Sequence, residues 1–91
     1  MNPVPTVVVE FYGMARRKSQ RAELTVTAAN VADALHAVAR QCPQLGDLLQ
    51  ADGQVAPHYL VSVDGRGFLA DPNYVVRNGE RLLVLSADAG G

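Results

Sequence analysis

The sequence predicts an α+β fold in which one main helix packs across one face of a mixed sheet. Three observations predict it. The run Thr6 to Tyr12 is dense in β-branched and aromatic residues, and Ala22 to Thr27 alternates apolar with polar. A single capped, amphipathic stretch lies between Asn30 and Pro43. Leu82 to Leu85 is an uninterrupted apolar run, the signature of a strand covered on both faces and placed in the middle of a sheet.

In chain order, Pro3 and Pro5 suit a strand's entry, and Val7, Val8, Val9, Phe11 and Tyr12 make the first strand. Gly13 to Gln20 breaks that pattern with glycine and charge, so the reading is a hairpin closed by a long basic connection. In the second strand Leu24 and Val26 face one way, Glu23 and Thr25 the other. Asn30 is a good N-cap for the backbone N–H of Asp33, whose carboxylate complements the helix dipole. Val31, Ala34, Leu35, Val38 and Cys42 then form one apolar helix face, which Pro43 closes because the residue before a proline is pushed out of helical geometry.

Gln44 to Leu49 reads as a short helical turn, and Ala51 to Pro57 as a polar loop. Tyr59 to Val63 is a third strand, Asp64-Gly65 a tight turn, and Arg66 to Leu69 a short return strand. Asn78-Gly79 is the strongest turn signal in the chain and leads directly into the last strand.

Composition bounds the function. Ninety-one residues make one domain, and 48% hydrophobic residues with five aromatics describe a core packed mainly by valine and leucine. A net charge of −1 and a pI near 6.0 argue against a nucleic-acid-coating protein. Arg16, Arg17, Lys18 and Arg21 nevertheless gather half of the eight basic residues, either as a solvated loop or as a contact for an acidic partner. One cysteine, Cys42, permits no internal disulfide and no cysteine-rich metal site, and its place on the apolar helix face makes it a core residue. His36 and His58 have no second ligand at metal spacing and read as surface histidines. With no leader and no membrane-length apolar run, the expectation is a soluble, cytoplasmic protein that does not engage membranes.

After the last strand the composition changes to Ser86, Ala87, Asp88, Ala89, Gly90 and Gly91. This divides the chain into a folded domain, 1–86, and a thin C-terminal tail, 87–91. Two glycines carry no Cβ, so such a tail suits a channel too narrow for other residues, with the Gly91 carboxylate as its reactive group. Fully extended, Ala87 to Gly91 reaches about 17 Å. No catalytic constellation is present: Gly65-Arg66-Gly67 lacks the rest of a phosphate loop, and the carboxylates are scattered. The chain reads as a carrier or substrate protein rather than an enzyme, or as the small subunit of a synthase.

Taken together, the hairpin, the capped helix, the Asn78-Gly79-Glu80 turn, the apolar final strand and the terminal Gly90-Gly91 resemble the ubiquitin-like β-grasp sulfur carriers of the ThiS/MoaD group. The resemblance spans nearly the whole chain and implies a β-grasp sheet of four to five strands. It further implies that an adenylating partner, resembling ubiquitin-activating enzymes and using ATP, converts Gly91 to an acyl-adenylate. Sulfur from a donor enzyme then replaces AMP to give a thiocarboxylate for an acceptor synthase subunit of the molybdopterin or thiamine type. Gly90, Ala89 and Asp88 would be the stretch bound in the partner's channel, and no cofactor or metal would be bound by the chain itself. Ser86-Ala87-Asp88-Ala89 stands where molybdopterin synthase small subunits commonly carry a proline pair, which leaves the acceptor pathway open. The same activated glycine also allows a protein modifier conjugated through Gly91, and a plain β-grasp interaction domain is the third class.

Overall fold

A computed structural model of the chain describes residues 4–63, 67 and 71–86. Its elements run β1 (Thr6–Phe11), α1 (Gly13–Ser19), β2 (Glu23–Thr27), α2 (Val31–Gln41), a 3-10 turn (Pro43–Leu45), β3 (Tyr59–Val63) and β4 (Arg81–Ser86). The four strands form one mixed sheet in the order β2-β1-β4-β3. β1 is antiparallel to β2 and parallel to β4, while β3 is antiparallel to β4. The apolar run at the end of the chain therefore is central, as its composition predicts.

Side-chain alternation decides the two faces. Val7, Val9 and Phe11 of β1, Leu24 and Val26 of β2, Tyr59, Val61 and Val63 of β3, and Leu82 and Val84 of β4 are buried. They share the inner face, on which α2 lays Val31, Ala34, Leu35 and Val38, all fully buried. The Asn30 side chain accepts from Asp33 N at 2.8 Å, the expected cap. Two further N–H groups at the start of α2, those of Val31 and Ala32, donate to the Tyr74 and Pro72 carbonyls, so a distant loop satisfies donors the helix cannot. Cys42 is buried just beyond α2, in its predicted core role.

Three expectations are corrected. The basic connection Gly13 to Gln20 is not a loop but carries a seven-residue α-helix. Met14 to Lys18 are good helix formers, the three cations of its last turn complement the helix dipole, and Gln20 ends it in the left-handed conformation. Only Ala15 and Ser19 face inward, too short a stripe to show periodicity. Secondly, the turn at residues 44–49 is a 3-10 turn one residue earlier, Pro43–Leu45, with Leu45 and Leu48 buried and the chain beyond it irregular. Thirdly, β4 is not covered on both faces: Leu82 and Val84 are buried, but Leu83 and Leu85 on the outer face are only half-buried. The predicted Asp64-Gly65 turn lies outside the described residues, as does the return strand Arg66 to Leu69 apart from Gly67.

Asn78-Gly79 does not close a hairpin. Its Asn78 Oδ1 accepts from Thr6 N at 2.9 Å, and Gly79 N donates to Thr6 O at 2.7 Å. The turn thus pins the entry of β4 to the entry of β1, and Val8 N donates to Glu80 O as the parallel ladder begins. Gly79 takes φ +84°, a conformation that favours glycine.

Candidate functional site

The candidate site is the end of the sheet at which β4 releases the chain. Ser86, the last residue of β4, is the cross-strand partner of Tyr59, the first residue of β3. On its other side Phe11 pairs with Val84, and Tyr12 N donates to Val84 O at 3.0 Å. Helix α1 starts against the same point: a Cβ on Gly13 would stand 3.6 Å from Ser86 Cβ, an ordinary contact. Gly13 is favoured there by its φ of +59°, which turns the chain from β1 into the helix. Ser86 thus stands at a corner walled by β3, the end of β1 and α1. The site residues expected from sequence, Asp88, Ala89, Gly90 and Gly91, lie outside the described residues.

A polar cluster sits beside this corner. Lys18 of α1 donates from Nζ to Tyr59 Oη and to Asp47 Oδ2, both at 3.1 Å. Tyr59 donates to Asp47 Oδ1 at 3.0 Å, and His58 Nε2 lies 2.9 Å from Asp47 Oδ2. The His58 and Tyr59 rings are 4.4 Å apart and tilted. Partial burial would raise the Asp47 carboxyl, but hydrogen bonds from His58, Lys18 and Tyr59 outweigh it and hold the pKa at about 2. Lys18 is raised by its bonds to Tyr59 and Asp47, and the Tyr59 hydroxyl is raised chiefly by burial. His58 is a surface histidine as expected, yet it has a partner that sequence reading missed. The four residues come from separate segments, and no spacing rule joins them.

The outer face of the sheet carries a second feature. Val8, Leu60, Leu83 and Leu85 are half-buried, and the strand register places Leu60 opposite Leu85 and Ser62 opposite Leu83. Ser62 is buried, its Oγ donating to Gly67 O at 2.5 Å. Beside this patch Arg81 pairs with Glu10, which also accepts from Tyr12 Oη at 2.5 Å. The Glu10 carboxyl is lowered by the Tyr12 bond, against some opposing burial, with Arg81 adding to the effect. Among the described residues no three His, Cys, Asp or Glu side chains are placed to hold a metal ion, and no helix is long and apolar enough to cross a membrane.

No protein-family model matches the sequence, and no curated protein matches it. Solved structures do match. Small archaeal modifier protein 1 from Haloferax volcanii superposes with a TM-score of 0.80 at 21% identity, over 94% of this chain and 99% of that one. Its namesake from Methanosarcina acetivorans gives 0.82 at 16% identity, over 99% and 100%. A Pyrococcus furiosus protein described as molybdopterin converting factor subunit 1 gives 0.73 at 14%, over 90% and 97%.

The fold is the ubiquitin-like β-grasp. It is shared over nearly the full length of each of these neighbours. The α+β class with one main helix on a mixed sheet stands as predicted, with four strands among the described residues. The neighbours are named as small archaeal modifier proteins and as a subunit of a molybdopterin converting factor. In this β-grasp, as the strand order requires, the last strand is central and its C-terminal end lies against α1.

Proposed function

We propose that the chain is a cytoplasmic sulfur carrier of the ThiS/MoaD kind. In this reading a ubiquitin-activating-like enzyme uses ATP to adenylate the Gly91 carboxylate. A sulfur donor then converts the adenylate to a thiocarboxylate, and an acceptor synthase subunit of the molybdopterin or thiamine type takes the sulfur. One observation carries the reading: a central strand held by both neighbours ends at a corner of the β-grasp, and five residues, the last two Gly90 and Gly91, follow it in the sequence. Asp88, Ala89 and Gly90 then pass through the partner's channel, glycine being the residue that demands the least width. A carboxylate is unreactive until it acquires a good leaving group, so the chemistry belongs to the activating partner.

Docking of the body offsets the cost of ordering that tail, on the order of 1 to 2 kcal/mol per residue. The outer-face patch of Val8, Leu60, Leu83 and Leu85 is the apolar surface suited to it, since the inner face is occupied by α2. A second reading, a protein modifier joined through Gly91 to a target lysine, is favoured by the two neighbours named as modifiers. Intact mass after incubation with ATP, an adenylating enzyme and a sulfur source separates them. Exchange of one oxygen for one sulfur is the carrier outcome, and mass ladders on other proteins are the modifier outcome. An unchanged chain together with unmodified targets overturns both.

A further inference from the structure

Lys18 is the only lysine in the 91-residue sequence, the other seven basic residues being arginine. An arginine guanidinium stays protonated and is no acyl acceptor, whereas an unprotonated lysine amine is a good one. The single side chain of this kind stands near the corner at which Ser86 ends β4. Tyr59 is the cross-strand partner of Ser86, and Lys18 Nζ lies 3.1 Å from Tyr59 Oη. Paired Cα atoms are about 5 Å apart, so one tyrosine side chain and one hydrogen bond bring Nζ within roughly 15 Å of Ser86. The helix agrees with this proximity, because a Cβ on Gly13 would stand 3.6 Å from Ser86 Cβ and Lys18 follows Gly13 by five residues, about 8 Å of helical rise. Five residues span up to about 17 Å by covalent length alone. The Gly91 carbonyl carbon can therefore meet Lys18 Nζ within one chain.

An activated Gly91 exposes the carrier to a side reaction. The lone pair of an unprotonated Nζ would attack the Gly91 carbonyl carbon and form a C–N bond. The bond from that carbon to the adenylate oxygen would break, AMP would leave with the electron pair, and Nζ would lose a proton to solvent. The product is an isopeptide lariat, one water lighter than the free chain and closed to sulfur transfer. Tethering over so short a span presents amine and acyl group to each other at about millimolar effective concentration.

We propose that Asp47 and Tyr59 clamp Lys18 as an ammonium ion and so protect the activated tail from acylating its own body. This rests on the reading of Gly91 as the activated group. The carboxylate of Asp47 takes Lys18 Nζ on Oδ2 and the Tyr59 hydroxyl on Oδ1, while Tyr59 Oη also accepts from Nζ. His58 completes the arrangement at Oδ2. An ammonium held on two oxygens has no lone pair to offer, and its proton is harder to remove. The upward displacement of the Lys18 pKa agrees with this geometry.

The test uses the full 91-residue chain carrying Gly91 as a thioester, made by intein cleavage, so that its outcome does not depend on any adenylating enzyme. Wild type, Asp47→Asn, Tyr59→Phe and Lys18→Arg are incubated at mildly alkaline pH, with circular dichroism as a check of folding. Intact mass separates hydrolysed acid from lariat, and peptide mapping locates the Lys18–Gly91 bond. Wild type should mainly hydrolyse, and either clamp variant should give roughly two- to fivefold more lariat, the range of an ion pair that is only part-shielded from water. Lys18→Arg should give none at this position. In wild type itself, Lys18 should also react with a small acyl thioester severalfold more slowly than the amine of N-acetyl-lysine amide. Equal lariat fractions in wild type and folded clamp variants, or a Lys18 as reactive as the free amine, overturn the proposal. The carrier reading is untouched by that result, because its own tests measure what an adenylating enzyme does to Gly91 and this experiment uses no such enzyme.

Discussion

Asn78 and Thr6, 72 positions apart, are joined by a 2.9 Å hydrogen bond from the Thr6 backbone N–H to Asn78 Oδ1. The bond closes the parallel pair β1–β4 at its entry, where a β-hairpin would use a tight turn and a parallel pair has none. Asn78→Ala should lower stability by about 0.5 to 1.5 kcal/mol, the net worth of one such bond. Gly79→Ala should cost about 1 kcal/mol or more through its φ of +84° alone, because no atom within 4 Å opposes the added Cβ. Urea midpoints measure both, and unchanged midpoints would show that the turn does not hold the pair together.

The two faces of β4 should respond oppositely to charge. Val84→Asp places an unpaired carboxylate in the fully buried core and should unfold the domain, a loss above about 4 kcal/mol. Leu83→Asp lies on the half-buried outer face and should remain folded while losing affinity for the adenylating partner. Circular dichroism and a binding titration read the two effects. A folded Leu83→Asp that binds like wild type removes the outer face as the docking surface.

Position of the last carboxylate should matter more than stability of the body. One residue added after Gly91, or deletion of Gly91, displaces the carboxylate by roughly 3.5 Å, far beyond the tolerance of about 1 Å in catalytic positioning. Thiocarboxylate formation should vanish in both variants with the fold intact. Gly90→Ala keeps length and charge but adds a Cβ, and should slow activation without abolishing it. Equal activation in all of them would falsify the carrier reading.

Asp47 carries a pH signature. Its folded pKa is lowered from 3.8 to about 2, so its contribution is complete above about 4 and is lost as pH falls from about 4 through about 2. The side chain is 44% exposed, and screening by water limits that contribution to about 1 kcal/mol or less. Asp47→Asn should therefore be less stable than wild type at pH 7 and equal to it near pH 2. Urea unfolding at both pH values measures the difference, and a constant gap across the range would show that the carboxylate charge is not what binds Lys18, His58 and Tyr59.

Local chemistry determined the parts of this protein that local chemistry can reach. Helix α2 was legible because its cap, its buried face and its terminating proline all lie within fourteen residues. The alternation of Leu24 and Val26 against Glu23 and Thr25 likewise announces which side of β2 is wet. The centrality of β4 follows from four consecutive apolar residues. Only the tertiary structure decided the rest. Helix α1 is short, and its two inward residues gain their meaning from packing on β4 and the 3-10 turn, contacts distant in sequence. Whether Val61 or Ser62 faces α2 is a question of register, and a one-residue slip would exchange the faces. Asn78-Gly79 reads only as a turn signal in isolation, yet its acceptor Asn78 Oδ1 and its donor Gly79 N are matched by the backbone N–H and carbonyl of Thr6, far away in the chain. Lys18, Asp47, His58 and Tyr59 meet because α1, the irregular connection and the start of β3 converge on one corner, and convergence of segments leaves no trace in residue spacing.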